Sequence, residues 1–291
     1  MTVELRYFTD PACPRSWGSE PKLRRLLWEF DGELRVRFVM AGLAREYGPS
    51  YRDPQSGIGV RGDPLFDLMA HWLDVCAEAE MPCDPRVWHD GHISSTYPAC
   101  QAAKAAQEQG PESAHRYLRR LREGILVEGK KLDHFAALVG EAAAAGLDTQ
   151  RFENDLASHA ITEAFGADLD ETRTVAAETP DEMAKSGNSR ERPRLPGAVF
   201  IGQDGERLGL WGWQPYEAYR DAARAAGANQ PNEGPLDPLA AVERYGRIAT
   251  KEAEVLAGRP RPIVEAELWA LARDWKLRPV PVLTGVLWEK P

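Results

Sequence analysis

A single cysteine sits among neighbours that can give it chemistry, in the run Tyr7-Phe8-Thr9-Asp10-Pro11-Ala12-Cys13-Pro14-Arg15-Ser16-Trp17. A β-rich segment, Val3 to Phe8, leads into a turn at Asp10 and Pro11, and a long amphipathic run then continues through Phe30. The order is strand, tight turn, and a thiol at a helix start. Unpaired backbone N–H groups and the positive end of a helix dipole favour thiolate over thiol. Arg15 adds a nearby cation. Cys13 is therefore expected to be more acidic than a free cysteine and the fastest of the cysteines to alkylate. The redox form of this turn is Cys-x-x-Cys, in which the second thiol resolves a mixed disulfide. Here Ser16 stands in the second position and cannot do so. Cys13 can still form a mixed disulfide with a small thiol or a protein, or pass through a sulfenic acid that another thiol reduces. The plainer reading is a small, buried apolar residue.

The other candidates carry less chemistry. Cys100 opens a predicted helix; it reads as a small buried residue, with remote resolution of Cys13 as the sharper alternative. Cys76 and Cys83 flank a break at Pro82, match no common zinc spacing and read as structural. The histidines show no metal-ligand spacing; His89-Asp90-Gly91-His92 comes nearest and reads as surface. Asp10 is expected to cap the first helix rather than to tune Cys13. Trp17 is expected to wall the site, and Trp211 and Trp213 are placed to do the same. Arg116, Arg119 and Arg120 share a helix face and read as solvated, with Arg122 off that face.

These residues need elements to position them. Leu34 to Leu43 reads as a second strand, parallel to the first because a helix crosses between them. A Gly-, Pro- and Tyr-containing loop, Arg45 to Asp63, precedes a helical block. Its expected helices are Pro64 to Glu80, a short turn at Asp84 to His89, Pro98 to Gln109, Glu112 to Glu123, Leu132 to Ala145, Thr149 to Leu156 and His159 to Val175. Gly146 is the expected C-cap before Asp148 or Thr149 starts the next helix. A polar loop, Glu178 to Arg194, leads to a hairpin, Gly197 to Ile201 and Arg207 to Trp211, closed by a helix from Pro215 to Ala226. This is an α/β chain in the thioredoxin layout with a helical insertion at about 63–178. Residues 227–238 have linker composition, and the core 1–226 is expected to stand without residues 239–291. Those C-terminal residues read as a helix from Leu239 to Leu256, a second helix and a two-stranded ribbon, a small winged-helix-like module.

Composition excludes several classes. The chain has 291 residues, 43% hydrophobic and 28% charged, enough for a sizeable core. Its net charge of −9 gives no overall basic field for nucleic acid or anionic membrane, although the module carries Arg259, Arg261, Arg273, Lys276 and Arg278. No apolar run is long enough to span a bilayer, and Met1 to Arg6 does not open a secretory signal. Four cysteines in so long a chain make no disulfide framework, and a cytoplasmic location is expected.

The run YFTDPACPRSWGSEPKLRRL resembles the start of DsbA-like thioredoxin-fold proteins of the FrnE type, which show Asp-Pro-x-Cys-x-x-(Cys or Ser) followed by Trp. Ser95-Thr96-Tyr97-Pro98-Ala99-Cys100-Gln101-Ala102, the Ala-Gly-Leu-Asp run ending at Asp148, and Leu195-Pro196 before the hairpin are similar too. The likeness spans about Thr2 to Ala226. It implies that Cys13 is the attacking thiol, that Ser16 replaces the resolving cysteine, and that Pro196 is a cis-proline facing them, with Pro14, Arg15, Trp17 and Leu195 lining the substrate site. Gly197 departs from the Thr or larger residue often found there. The resemblance implies a thiol–disulfide oxidoreductase or isomerase acting through one thiol on protein or low-molecular-weight partners. Two alternatives stay open. One is a thiol-cofactor enzyme like kappa-type glutathione transferases or 2-hydroxychromene-2-carboxylate isomerases, holding a small thiol such as glutathione or mycothiol. The other is a non-catalytic adaptor or chaperone-like binder. No metal, nucleic acid or membrane is expected as a partner.

Overall fold

The computed structural model describes residues 2–47, 65–89, 92–183, 192–232 and 234–291. Strand β1 (Val3–Thr9) is central, pairing in parallel with β2 (Leu34–Met40) and antiparallel with β3 (Gly197–Ile201), while β4 (Arg207–Trp211) closes the hairpin on β3. The order is β2-β1-β3-β4. The parallel pair needs a crossover, supplied by α1 (Pro14–Gly18) and α2 (Glu20–Glu29). The expected single helix divides at Ser19, because Pro21 has no N–H to give to the Trp17 carbonyl and its ring would clash there. Proline is tolerated in the first turn of α2, so the helix restarts.

The insertion comes after β2 as α3 (Leu65–Ala79), a 3₁₀ turn (Pro85–Trp88), α4 (Tyr97–Gln107), α5 (Pro111–Leu126), α6 (Phe135–Ala144), α7 (Thr149–Leu156) and α8 (His159–Glu178). Gly146, at φ +71°, ends the turn after α6, and Asp148 caps α7 by accepting from the Arg151 N–H at 3.0 Å. Most of the expected Arg45 to Asp63 loop, and residues 184–191 of the Glu178 to Arg194 loop, lie outside the described residues. Helix α9 (Tyr216–Ala225) packs behind the hairpin. The architecture is thioredoxin-like, with a helical insertion between β2 and β3.

The C-terminal part runs α10 (Pro238–Tyr245), β5 (Ile248–Ala249), α11 (Thr250–Ala257), α12 (Arg261–Arg273), β6 (Arg278–Val282) and β7 (Gly285–Glu289). The expected helix from Leu239 to Leu256 is in fact two. Gly246, at φ +73°, breaks it, and the short strand β5 just beyond pairs with β7 in a sheet of order β5-β7-β6. Helix, strand, two helices and a hairpin make a winged-helix layout.

This module is fastened to the rest. Ala228 and Leu236 are buried, the Asn232 side chain donates to the Trp28 carbonyl at 2.9 Å, and Trp28 packs against the module's own apolar cluster. The decisive contact is ionic. Glu252 of α11, fully buried, meets Arg24 of α2 at 2.7 Å and Arg119 of α5 at 2.9 Å, and accepts the Ala249 N–H at 2.6 Å. Arg119 also bonds Glu123 at 2.6 Å and lies 4.4 Å over the Trp17 ring. The arginines of α5 are therefore not a solvated face: Arg119 and Arg122 are buried, and Arg116 is the more exposed one. Helical spacing cannot reveal a carboxylate brought in from residue 252.

Burial pushes the Glu252 carboxyl up, but Arg119 and Arg24 outweigh it and hold it below its ordinary 4.5. Its stabilisation is thus complete above pH 4.5 and is lost as pH falls through the lower folded-state value. Glu252→Gln is expected to cost about 3–5 kcal/mol in urea unfolding, because Arg24 stays buried without its close partner and Arg119 keeps only Glu123 at close range. The wild type should then lose stability below pH 4.5 more steeply than the variant; parallel pH profiles would contradict this. For the same reason truncation at residue 238 is expected to yield aggregated chain rather than a folded core, which sedimentation of the expressed fragment checks.

Candidate functional site

The end of β1 delivers Thr9 and Asp10 into the turn, and Cys13 is the N-cap of α1. Its Sγ accepts the Ser16 N–H at 3.4 Å, while its own N–H bonds the Asp10 carbonyl at 3.2 Å. Pro14 takes the first helical position, where no N–H is needed. Asp10 does not cap a helix. Its Oδ1 accepts from Ala12 N–H at 2.8 Å, and its Oδ2 accepts from Leu43 N–H at 2.6 Å, the Thr96 hydroxyl at 2.8 Å and the Cys100 thiol at 3.3 Å. One buried carboxylate thus welds the motif turn to the segment after β2 and to the start of α4. Burial pushes the Asp10 carboxyl up against the pull of these donors. Cys100 is spent on this weld, and burial together with Asp10 drives its thiol well above its ordinary range.

Cys13 is 1% exposed. It shares an apolar cluster with Phe8, Val39, Leu43, Val175, Leu195 and Trp211. Burial pushes its thiol up; the Ser16 hydroxyl and N–H and the Arg192 charge pull down, Asp10 pushes up again, and the net direction is upward. The expected acidic Cys13 is therefore corrected. The sulfur has left water, and α1, only five residues long, offers a short dipole. Arg15 does not face the sulfur: its guanidinium lies 5.0 Å over the Trp213 ring. Ser16 is buried, and although its hydroxyl is near enough to favour the thiolate, its Oγ completes no hydrogen bond.

The Leu195–Pro196 bond is cis, as expected. Leu195 is fully buried in the Cys13 cluster, and the Pro196 carbonyl accepts the Gly212 N–H at 2.8 Å. The aromatic neighbour on this side is Trp211 rather than Trp17. A Cβ on Gly197 would lie 2.1 Å from the Trp211 ring, so the glycine is what lets the indole lie across this strand, edge-on to Phe8 at 5.2 Å. Trp17 faces away. It is fully buried, donates to the Pro82 carbonyl at 2.8 Å and lies under Arg119. Trp213 packs along α1 and donates to the Arg15 carbonyl at 2.7 Å.

Sequence reasoning missed Arg122 and Arg192. Arg122, 1% exposed, pairs with Glu20 and donates to the Thr9 hydroxyl, close enough to Cys13 and Asp10 to feel their charges. Its signal was there: it falls on the apolar stripe of Leu118, Leu121 and Ile125. Arg192 lies in a polar stretch with no pattern to mark it. His92 stacks near Trp88, and Asp90 and Gly91 of the nearest metal-like spacing lie outside the described residues. Among the described residues no group of three potential ligands could hold a metal, and no helix is long and apolar enough to cross a membrane.

A family model described as Thioredoxin matches residues 7–180. The ClpXP adapter protein SpxH of Halalkalibacterium halodurans is 29% identical over 99% of this chain and 88% of its own length, and that of Bacillus subtilis 26% over 99% and 89%. Among solved structures, a candidate protein disulfide isomerase of Nitrosomonas europaea superposes with a TM-score of 0.62 at 18% identity, covering 77% of this chain and 97% of that one. The cytosolic disulfide reductase DsbM of Pseudomonas aeruginosa gives 0.54 at 20%, covering 76% and 95%. The two structures share the fold.

Native Cys13 should alkylate more slowly than a free thiol, by at least about tenfold for a buried sulfur, and its rate should still be rising above pH 9.0, its ordinary value. Arg192→Gln should move that rise to higher pH. Rate profiles read by mass spectrometry of the Cys13 peptide check both; a plateau near neutral pH would contradict them.

Proposed function

The chain belongs to the thioredoxin family, and we propose that within it the protein is a non-catalytic adaptor that delivers other proteins to a ClpXP-type protease. The observation that carries this is the extent of the likeness. The adapter proteins match 99% of the chain, winged module included. The solved disulfide-enzyme structures cover 77% and 76% of it. The motif turn supports the same reading. Ser16 removes internal resolution, and Cys13 is buried with its thiol pushed up, so it is poorly set to attack a disulfide. What remains of the redox frame is a rigid scaffold. Its turn is locked by Asp10, and its flank carries a module joined through buried ion pairs.

The thiol–disulfide reading implied by the FrnE resemblance is supported by the cis-proline and by the cysteine at the head of α1. It needs a thiolate that is accessible and resolvable. The small-thiol alternatives, with glutathione or mycothiol, need open space beside Cys13, and its sulfur lies instead in an apolar cluster with Leu195 and Trp211.

The test separates protein delivery from thiol exchange. Proteins stabilised when the encoding gene is deleted are collected, purified, and degraded by ClpXP from the same cell with and without this chain. At least one is expected to disappear about tenfold faster with it, an effect of about 1.4 kcal/mol in effective affinity, and Cys13→Ser should leave that acceleration within about twofold. Turbidimetric insulin reduction should stay at background for the wild type. Loss of delivery in Cys13→Ser, or robust insulin reduction, would favour the oxidoreductase.

A further inference from the structure

Cys76 and Cys83 are far from the motif in sequence and are not used by it, yet they are the thiols the structure places side by side. Cys76 is on α3. Past its end the chain turns back: the Met81 N–H bonds the Cys76 carbonyl at 3.0 Å, and Glu80 takes φ +55°. This return brings the Cys83 Sγ to 3.9 Å from the Trp72 carbonyl, which lies one helical turn before Cys76. The two thiols are close enough there for each to shift the other's acidity, Cys76 upward and Cys83 downward.

The pair sits at a three-way junction. From the motif side, the Trp17 indole donates to the Pro82 carbonyl at 2.8 Å. From the C-terminal hairpin, the Thr284 hydroxyl accepts the Cys83 N–H at 2.8 Å and lies 3.2 Å from the Cys83 carbonyl, and Gly285 lies so close that an added Cβ would be 3.2 Å from Pro82. Between insertion and module runs a cleft of about 190 Å³, lined by Cys76, Glu80, Pro82, Arg261, Thr284 and Gly285 among others. Of its lining, Glu80 pairs with Arg261 across the cleft and also with Lys251. Its volume admits a small polar molecule.

We propose that Cys76 and Cys83 form a reversible intramolecular disulfide, made by a small hydroperoxide entering this cleft, and that the joint between the insertion and the winged module responds to it. The Cys83 sulfur, the thiol of the pair that its neighbour Cys76 makes more acidic, attacks the peroxide oxygen; the O–O bond breaks, the alcohol or water leaves with the thiol proton, and Cys83 becomes a sulfenic acid. Cys76 then attacks that sulfur; the S–S bond forms, the S–O bond breaks, and hydroxide leaves as water with the Cys76 proton. Two thiols and one hydroperoxide give one disulfide, one alcohol or water, and one water. Drawing the two sulfurs together into a covalent bond shifts Cys83, whose backbone is gripped by Thr284, so the hairpin registers the change. The inference stands apart from the adaptor reading.

The test uses the full chain and hydrogen peroxide. After treatment the chain is denatured in acid, free thiols are capped with N-ethylmaleimide in denaturant, and the chain is cut with trypsin. The peptide from Gly62 to Arg86 contains both cysteines and no other. It is expected uncapped and two hydrogens lighter in most chains, restored by dithiothreitol, while Cys100 stays capped. Hydrogen exchange across β6 and β7 should change by at least about twofold on oxidation of the wild type and not in Cys83→Ala. A peptide with both thiols still capped, a Cys83 overoxidised beside a free Cys76, or a bond from either to Cys13 or Cys100 would overturn the site. Unchanged exchange in the oxidised wild type would overturn the response of the joint.

Discussion

A carboxylate with no access to water organises this molecule. Glu252 enters from the winged module and ends between Arg24 of the crossover helix and Arg119 of the insertion, so one residue binds the separately built parts together. Each of these ions gives up hydration worth several kcal/mol, recovered only where partners and geometry are complete. Around it the buried cations Arg24, Arg119 and Arg122 are matched by Glu20, Glu123 and Glu252. Hydrophobic contact would tolerate many orientations of the module on the core; a buried set of charges tolerates few. The constraint reaches the motif as well. Arg119 covers Trp17 and Arg122 holds Glu20 and Thr9, so the turn that carries Cys13 is braced from beneath by the same guanidiniums.

That arrangement accounts for what the sequence disclosed and what it kept. Hairpin limits at Gly197–Ile201 and Arg207–Trp211, the α7 span, the parallel β1–β2 pair and the cis Leu195–Pro196 bond were legible because turn residues, helix caps and layout are local or topological signals. The winged layout was legible in outline, but Gly246 and the two-residue strand β5 were not, since a strand that short declares itself only through its partner β7. The site was half legible. Residue types placed Cys13 at a helix start, and that was correct. They could not say that Val175, Leu195 and Trp211 would close over it and reverse the direction of its acidity. Nor could they say that Arg15 would turn to Trp213 while Arg192, from an unpatterned stretch, would supply the charge.

The motif turn combines a cysteine at a helix start and a cis peptide with surroundings that bury the sulfur. Asp10, Pro14 and the cis peptide hold the geometry a redox protein would use, and the polar reach of Asp10 now runs to Leu43, Thr96 and Cys100, which is framework. A frame built to hold backbone rigid beside a reactive sulfur is equally suited to hold a surface rigid for another protein, with no change to the sheet.

Gly197 and Trp211 face each other across paired strands in the same register, and the space between them holds either an indole or a side chain on residue 197, never both. The two positions therefore behave as one steric unit. In this chain a larger residue at 197 requires the tryptophan to move first. Because Trp211 is also part of the apolar cluster around Cys13, a change at the head of β3 reaches the surroundings of the thiol without touching the motif turn.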